Sequence, residues 1–137
     1  RALLEKALES ALRNFGELHP TVATRQSNLG IVFRNLGKYE KAQDLFEKAL
    51  ESDLRNFGEL HPTVATRRNN LAWVYRKTKD WSNAVLEFKL AINIIEKSLG
   101  KEHPDYVMFT NSLIGTIKEG AEAGDPEMIA LKEDMGL

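Results

Sequence analysis

A stretch of 21 residues occurs almost unchanged at two places in this chain. It reads EKALESALRNFGELHPTVATR at residues 5–25 and EKALESDLRNFGELHPTVATR at residues 47–67. The two copies differ only at Ala11 and Asp53, and they begin 42 residues apart. A repeat of this length, with no long polar linker, predicts a stack of similar units rather than one closed globule.

A third, looser copy follows at the same interval, marked by the His-Pro pairs that begin at His19, His61 and His103. The proline of each pair suits the first turn of a helix. Apolar residues then recur at helical spacing, and glycines such as Gly58 suit the position after a helix end. Alternating strand patterns are absent, so each unit is predicted to be a pair of helices.

The composition limits the classes of function. The chain has 137 residues, of which 42% are hydrophobic and 28% charged, with a formal net charge of −1 and no cysteine. This excludes a disulfide scaffold, thiolate metal sites and cysteine catalysis, and it argues against nucleic-acid or membrane binding driven by bulk charge. No apolar run approaches the roughly 20 residues of a membrane span. We expect a cytoplasmic protein.

Residue patterns that carry catalysis are absent. The three histidines are predicted to lie on separate loops, where they cannot share a metal ion. The segment from Gly30 to Lys38 does not have the spacing of a phosphate-binding loop. Neither the GxSxG nor the HExxH pattern occurs. We therefore expect no enzymatic activity, no metal and no cofactor.

The units resemble tetratricopeptide repeats (TPRs). The residues that carry the resemblance in one unit are Leu29, Gly30, Phe33, Gly37, Tyr39, Ala42, Phe46 and Ala49, and in the next Leu71, Ala72, Tyr75, Trp81, Ala84, Phe88 and Ala91. The 42-residue period and the segment LGKEHPDYV are similar to the subtype found in kinesin light chains. The resemblance implies an all-α, right-handed α-solenoid of antiparallel helix pairs, with about six long helices and a short C-terminal helix.

The predicted organisation is one TPR-type domain over residues 1–137. In each unit the first helix is called A and the second B. The predicted parts are a B helix of a preceding repeat (1–19), two full repeats (20–61 and 62–103), the A helix of a third (104–119) and an atypical capping segment (120–137).

The resemblance also implies that the A helices line a concave groove. The two predicted A helices at 20–36 and 62–78 carry six cations and no acid, whereas the B helix at 39–57 has a charge of −2 and the segment 120–137 one of −4. An extended, acidic peptide is therefore the predicted partner. The resemblance places eighteen residues on this groove. Those expected to contact the peptide are Ser27, Asn28, Ile31, Arg34, Asn35, Thr66, Asn69, Asn70, Trp73, Arg76, Lys77, Asn111 and Lys118, and the other groove-facing positions are Thr24, Met108, Ser112, Gly115 and Glu119.

The types of these residues suit peptide binding. Asparagine can pair with a peptide backbone, arginine with carboxylates, and Trp73 and Ile31 offer an apolar patch. Other interpretations remain open: the arginines could pair with B-helix acids, the asparagines could be ordinary helix surface, and Trp73 could pack on a neighbouring helix.

Three alternative functional hypotheses also remain. The chain could associate head to tail through an apolar face at Leu4, Leu8 and Leu12. It could bind RNA through its basic helices. Finally, the acidic segment 120–137 could dock in the groove and occlude it.

Overall fold

The computed structural model describes residues 1–137, which form seven α-helices and no strand. The helices are α1 (Ala2–Phe15), α2 (Pro20–Asn35), α3 (Tyr39–Phe57), α4 (Pro62–Lys77), α5 (Trp81–Ser98), α6 (Pro104–Glu122) and α7 (Pro126–Asp134). Each helix packs against the next one along the chain. The all-α solenoid of helix pairs is confirmed, with α2, α4 and α6 as A helices and α1, α3 and α5 as B helices.

The repeated histidine has a specific structural role at the start of each A helix. In His19, His61 and His103, the imidazole Nδ1 accepts a hydrogen bond of 3.1 Å from the backbone N–H two residues later. This acceptor satisfies one of the free N–H groups that every helix start leaves. The proline that follows has no N–H to satisfy, so the His-Pro pair is a compact helix-start signal.

The core is a ribbon of side chains between successive helices. Phe46 and Phe88 are fully buried at equivalent positions of the two repeats, and Leu29 and Leu71 are buried on the A helices that face them. Close approach needs small residues: a Cβ atom added at Gly30 would lie only 2.6 Å from the Phe46 ring. The sequence pattern therefore identified the central packing positions.

The last helix, α7, adds a side chain to the core beside α6. Helix α6 extends to Glu122, three residues past its predicted end, and α7 then packs back on it. Met128 of α7 is fully buried in a cluster with Trp81 and Ile117, directly over Gly120, where a Cβ atom would overlap it. Met128 thus packs between α5 and α6.

Candidate functional site

Two pockets lie along the A helices, and they share Trp73. The first, here called the cationic pocket, has a volume of about 470 Å³ and lies between α2 and α4. Its lining residues are Arg34, Asn35, Tyr39, Trp73 and Lys77. Arg34 and Lys77 belong to no ion pair. Their charges are available to an acidic group that enters the pocket.

The second pocket, here called the apolar pocket, has a volume of about 740 Å³ and lies between α4 and α6. Val107 and Met108 each leave about half of their surface exposed there. Burying such surface under a ligand would be favourable by about 25 cal/mol per Å². The lining residues are Trp73, Arg76, Pro104, Val107, Met108, Asn111, Ser112 and Gly115.

Trp73 is both a packing residue and a wall of the two pockets. Its ring meets that of Phe88 edge to face, with the centroids 5.9 Å apart and the planes at 89°. The side chain remains partly exposed between the pockets. The contact with the fully buried Phe88 positions the indole between the two pockets.

Arg76 is held by contacts within the chain. Its guanidinium lies 4.8 Å from the centre of the Trp73 ring, and Nη2 donates to Oε2 of Glu119 over 2.9 Å. Nε donates to the same oxygen at 3.3 Å, and Nη1 donates to the backbone carbonyl of Ser112 at 3.4 Å. Arg76 therefore joins α4 to α6, with its charge balanced by Glu119.

Two further A-helix cations are paired with acids of B helices. Arg67 donates to Asp53 of α3 at 2.6 Å, and Arg68 to Glu87 of α5 at 3.0 Å. Together with Arg76, these are three of the six cations that the sequence places on the first two A helices. The other three of these six, Arg25, Arg34 and Lys77, are unpaired. The charge available to a partner is thus about half of what the sequence suggests.

Several of the predicted polar residues lie between helices. Ser27 and Asn70 are buried, and the Asn70 amide donates to the Ser27 hydroxyl at 3.3 Å, which joins α2 to α4. The Oδ1 atom of Asn69 is also buried and has no hydrogen-bond partner. These three side chains therefore face the helix interface more than the open groove.

The remaining predicted residues are spread along the A helices. Ile31 packs against the core, and Asn111 lines the apolar pocket. Asn28, Thr66 and Lys118 are exposed but line neither pocket. The structure thus brings together Arg34, Asn35, Trp73 and Lys77 on one side of the indole, and Trp73, Arg76 and Asn111 on the other.

The sequence reasoning left out three pocket residues. Tyr39 was named only among the residues that carry the TPR resemblance, and it lines the cationic pocket. Pro104 and Val107 line the apolar pocket, and neither was among the predicted site residues. One signal was present: Val107, Met108 and Phe109 are consecutive, and successive helix residues point about 100° apart, so they cannot all face one core. Phe109 is buried and the other two are exposed.

The structure has no group of three or more His, Asp or Glu side chains arranged to hold a metal ion. None of its helices has the length and apolar character that crossing a membrane requires.

Comparison with known proteins identifies the family. The sequence model of the tetratricopeptide repeat matches residues 1–55 and 26–97, which together are more than half of the chain. The chain belongs to the tetratricopeptide repeat family. Among curated proteins there is no significant match.

Solved structures show which TPR type the chain resembles. It is similar to BtubC (BKLC) from P. vanneervenii, with 28% identity and a TM-score of 0.79 over 98% of this chain. It also shares the fold of a Podosopora anserina kinesin light chain with nearly identical TPR-like repeats, at 21% identity and a TM-score of 0.78 over 97% of this chain. The TPR array is therefore of the kinesin-light-chain-like type.

The TPR chain spans 56% of the length of BtubC and 65% of the length of the P. anserina protein. The shared part is a repeat array, and TPR arrays support a protein–protein interaction or scaffold role. Proteins of this family are generally non-enzymatic scaffolds.

Proposed function

We propose that this TPR chain is an interaction scaffold that binds an extended, acidic peptide segment along its A helices, with the cationic pocket as the principal contact. The observation that carries the proposal is the pair of unpaired cations, Arg34 and Lys77, beside Tyr39 and Trp73. Carboxylates gain charge-assisted hydrogen bonds from such cations, and the aromatic walls contribute apolar contact area.

The polar residue Asn35 supports an extended ligand in particular. It is exposed at the edge of the cationic pocket, where its amide can both donate to and accept from a peptide backbone. Asn111 has the same property in the apolar pocket. A peptide that lies across Trp73 would meet both amides, which favours an extended backbone over a helical one, whose groups are already paired.

The test uses a fluorescent peptide with a Gly-Ser backbone that carries two glutamates followed by a leucine, here called the acid–leucine peptide. Replacing both Arg34 and Lys77 by Gln should weaken its binding by about a hundredfold, since each lost charged contact removes about 1.5 kcal/mol and every 1.4 kcal/mol is about tenfold. The matched control replaces Lys89 and Lys97, two exposed and unpaired lysines of α5, by Gln. Equal binding of the two variants would contradict the proposal.

A second candidate function is self-association through α1. Leu3 is 81% exposed, and Leu4 and Leu8 are only partly buried, although their counterparts Phe46 and Leu50 in α3 are buried. A second copy of the chain could cover this apolar face. Light scattering over a concentration series checks this: association should be concentration-dependent and should be lost in Leu3→Glu. A constant monomer mass would exclude it.

A further inference from the structure

We propose that Glu119 determines the ligand specificity of the apolar pocket. As the internal counter-ion of Arg76, it makes this pocket select an apolar side chain and disfavour an acidic one, although an arginine lines it. The inference rests on the proposed function, since it assigns one part of the same peptide to each side of Trp73.

The contacts of Arg76 account for its charge and for most of its donors. Nε and Nη2 both donate to Oε2 of Glu119, at 3.3 and 2.9 Å, and Nη1 donates to the Ser112 carbonyl. One face of the guanidinium lies over Trp73. Gly115 lies beside this arrangement, where a Cβ atom would be at contact distance, 3.4 Å, from two guanidinium nitrogens. The arginine is thus part of the pocket wall rather than a free anchor.

Glu119 also repels a second carboxylate. Its side chain is 50% exposed, whereas that of Arg76 is 15% exposed. An acidic ligand group approaching Arg76 therefore meets the exposed carboxylate before it meets the guanidinium. Like charges at contact distance disfavour binding. A leucine-like side chain meets no such repulsion and covers Val107 and Met108, which are half exposed.

The cationic pocket has the opposite character. Arg34 and Lys77 have no acidic partner there, so carboxylates are accepted. The groove therefore specifies two different halves of its ligand: an acidic half between α2 and α4, and a large apolar side chain between α4 and α6. The ion pair between Arg76 and Glu119 is the reason that the arginine of the apolar pocket does not attract a carboxylate as Arg34 and Lys77 do.

The experiment adds a second fluorescent peptide, the acid–acid peptide, in which a third glutamate replaces the leucine of the acid–leucine peptide. In the unmodified chain, the acid–leucine peptide should bind more tightly. The Glu119→Gln change leaves the charge of Arg76 uncompensated and should strengthen acid–acid peptide binding by about tenfold. The matched control is Glu122→Gln, which removes the same charge from an exposed residue of α6 that forms no ion pair. It should change binding less than twofold, roughly the limit for a screened surface charge.

A double variant links the gain to the arginine. Adding Arg76→Met to Glu119→Gln should abolish the gain, because no cation is then left in the pocket. Equal effects of Glu119→Gln and Glu122→Gln, or a gain that survives in the double variant, would overturn this inference alone. Failure of the unmodified chain to bind the acid–leucine peptide would instead overturn the proposed function. Helical content and denaturation midpoints of each variant separate loss of binding from loss of folding.

Discussion

Arg67 forms an ion pair with the buried Asp53, which stands at the one position where the two copies of the 21-residue stretch differ. The Arg67 Nε atom lies 2.6 Å from Oδ2 of Asp53, and the two side chains are 12% and 1% exposed. In the other copy, Ala11 takes the place of the aspartate and Arg25, the counterpart of Arg67, is exposed. Asp53 therefore gives Arg67 an acidic partner in the place where Arg25 faces an alanine.

The first prediction is that removing Arg67 from this ion pair destabilises the fold more than removing Asp53. Arg67→Met leaves a buried carboxylate without a partner and should lower the free energy of unfolding by about 3 kcal/mol. Asp53→Ala should cost only about 1 kcal/mol, because Arg67 can then turn toward water, as Arg25 does opposite Ala11. Urea denaturation measures both values. As a control, Arg25→Met should stay within about 0.5 kcal/mol. The prediction is wrong if Asp53→Ala is the more costly change.

The second prediction concerns the histidine caps. His61 accepts a hydrogen bond from the N–H of Thr63, and its ring stacks on Phe57 with the centroids 4.6 Å apart. His61→Ala loses both contacts and should lower the free energy of unfolding by about 1–2 kcal/mol. His61→Asn restores an acceptor at the helix start and should recover about half of that loss. Equal stability of the two variants in denaturant titrations would show that the cap contributes little.

The third prediction compares two glycines inside A helices. Gly30→Ala places a methyl group 2.6 Å from the ring of the fully buried Phe46, so it should cost about 1–3 kcal/mol through overpacking. Gly115→Ala meets only the Arg76 guanidinium at 3.4 Å. It should be neutral or stabilise by up to about 1 kcal/mol, since alanine restricts the unfolded helix segment. The thermal unfolding midpoint should therefore fall in Gly30→Ala and stay the same or rise in Gly115→Ala. A lower midpoint in Gly115→Ala than in Gly30→Ala would contradict the prediction.

The fourth prediction concerns alkaline pH. Burial, and then the negative charges of Glu47, Glu87 and Asp80, raise the pKa of Tyr75 above its ordinary value. Because the folded pKa exceeds the unfolded one, the stabilisation is complete below about pH 10 and is lost as the pH rises through the folded pKa. Tyr75→Phe should remove this component. Urea denaturation of the unmodified chain and of Tyr75→Phe at about pH 9 and about pH 11 checks this. The same loss of unfolding free energy in the two proteins would contradict the prediction.

Much of the fold could be predicted from the sequence because its signals are local. The His-Pro pairs and the glycines mark helix starts and ends, and the small residues face aromatic ones at a fixed spacing. The end of α6 was predicted too early because Gly120 reads as a helix terminator. In the structure, Gly120 is helical, and the absence of a side chain there leaves space for Met128.

The candidate site was less predictable because it depends on contacts between distant helices. The charge of α4 can be counted from its sequence, but the count does not show that Arg67, Arg68 and Arg76 face acids on three other helices. Likewise, Ser27 and Asn70 have the chemistry of a peptide-binding site, but their side chains meet each other. Residue type identified the polar A-helix positions, and only the packing showed which of them remain open.

Met128 packs beside α6, far along the chain from the two nearly identical stretches. The two nearly identical stretches each span a B helix end, a loop and an A helix start, so the α1–α2 and α3–α4 junctions are interchangeable. A duplication or deletion of 42 residues between them would join surfaces that already fit one another, and the packing of α7 on α6 would be unchanged. Such an array can change its reach by whole units, and thus the length of partner that it accommodates, without evolving a new interface.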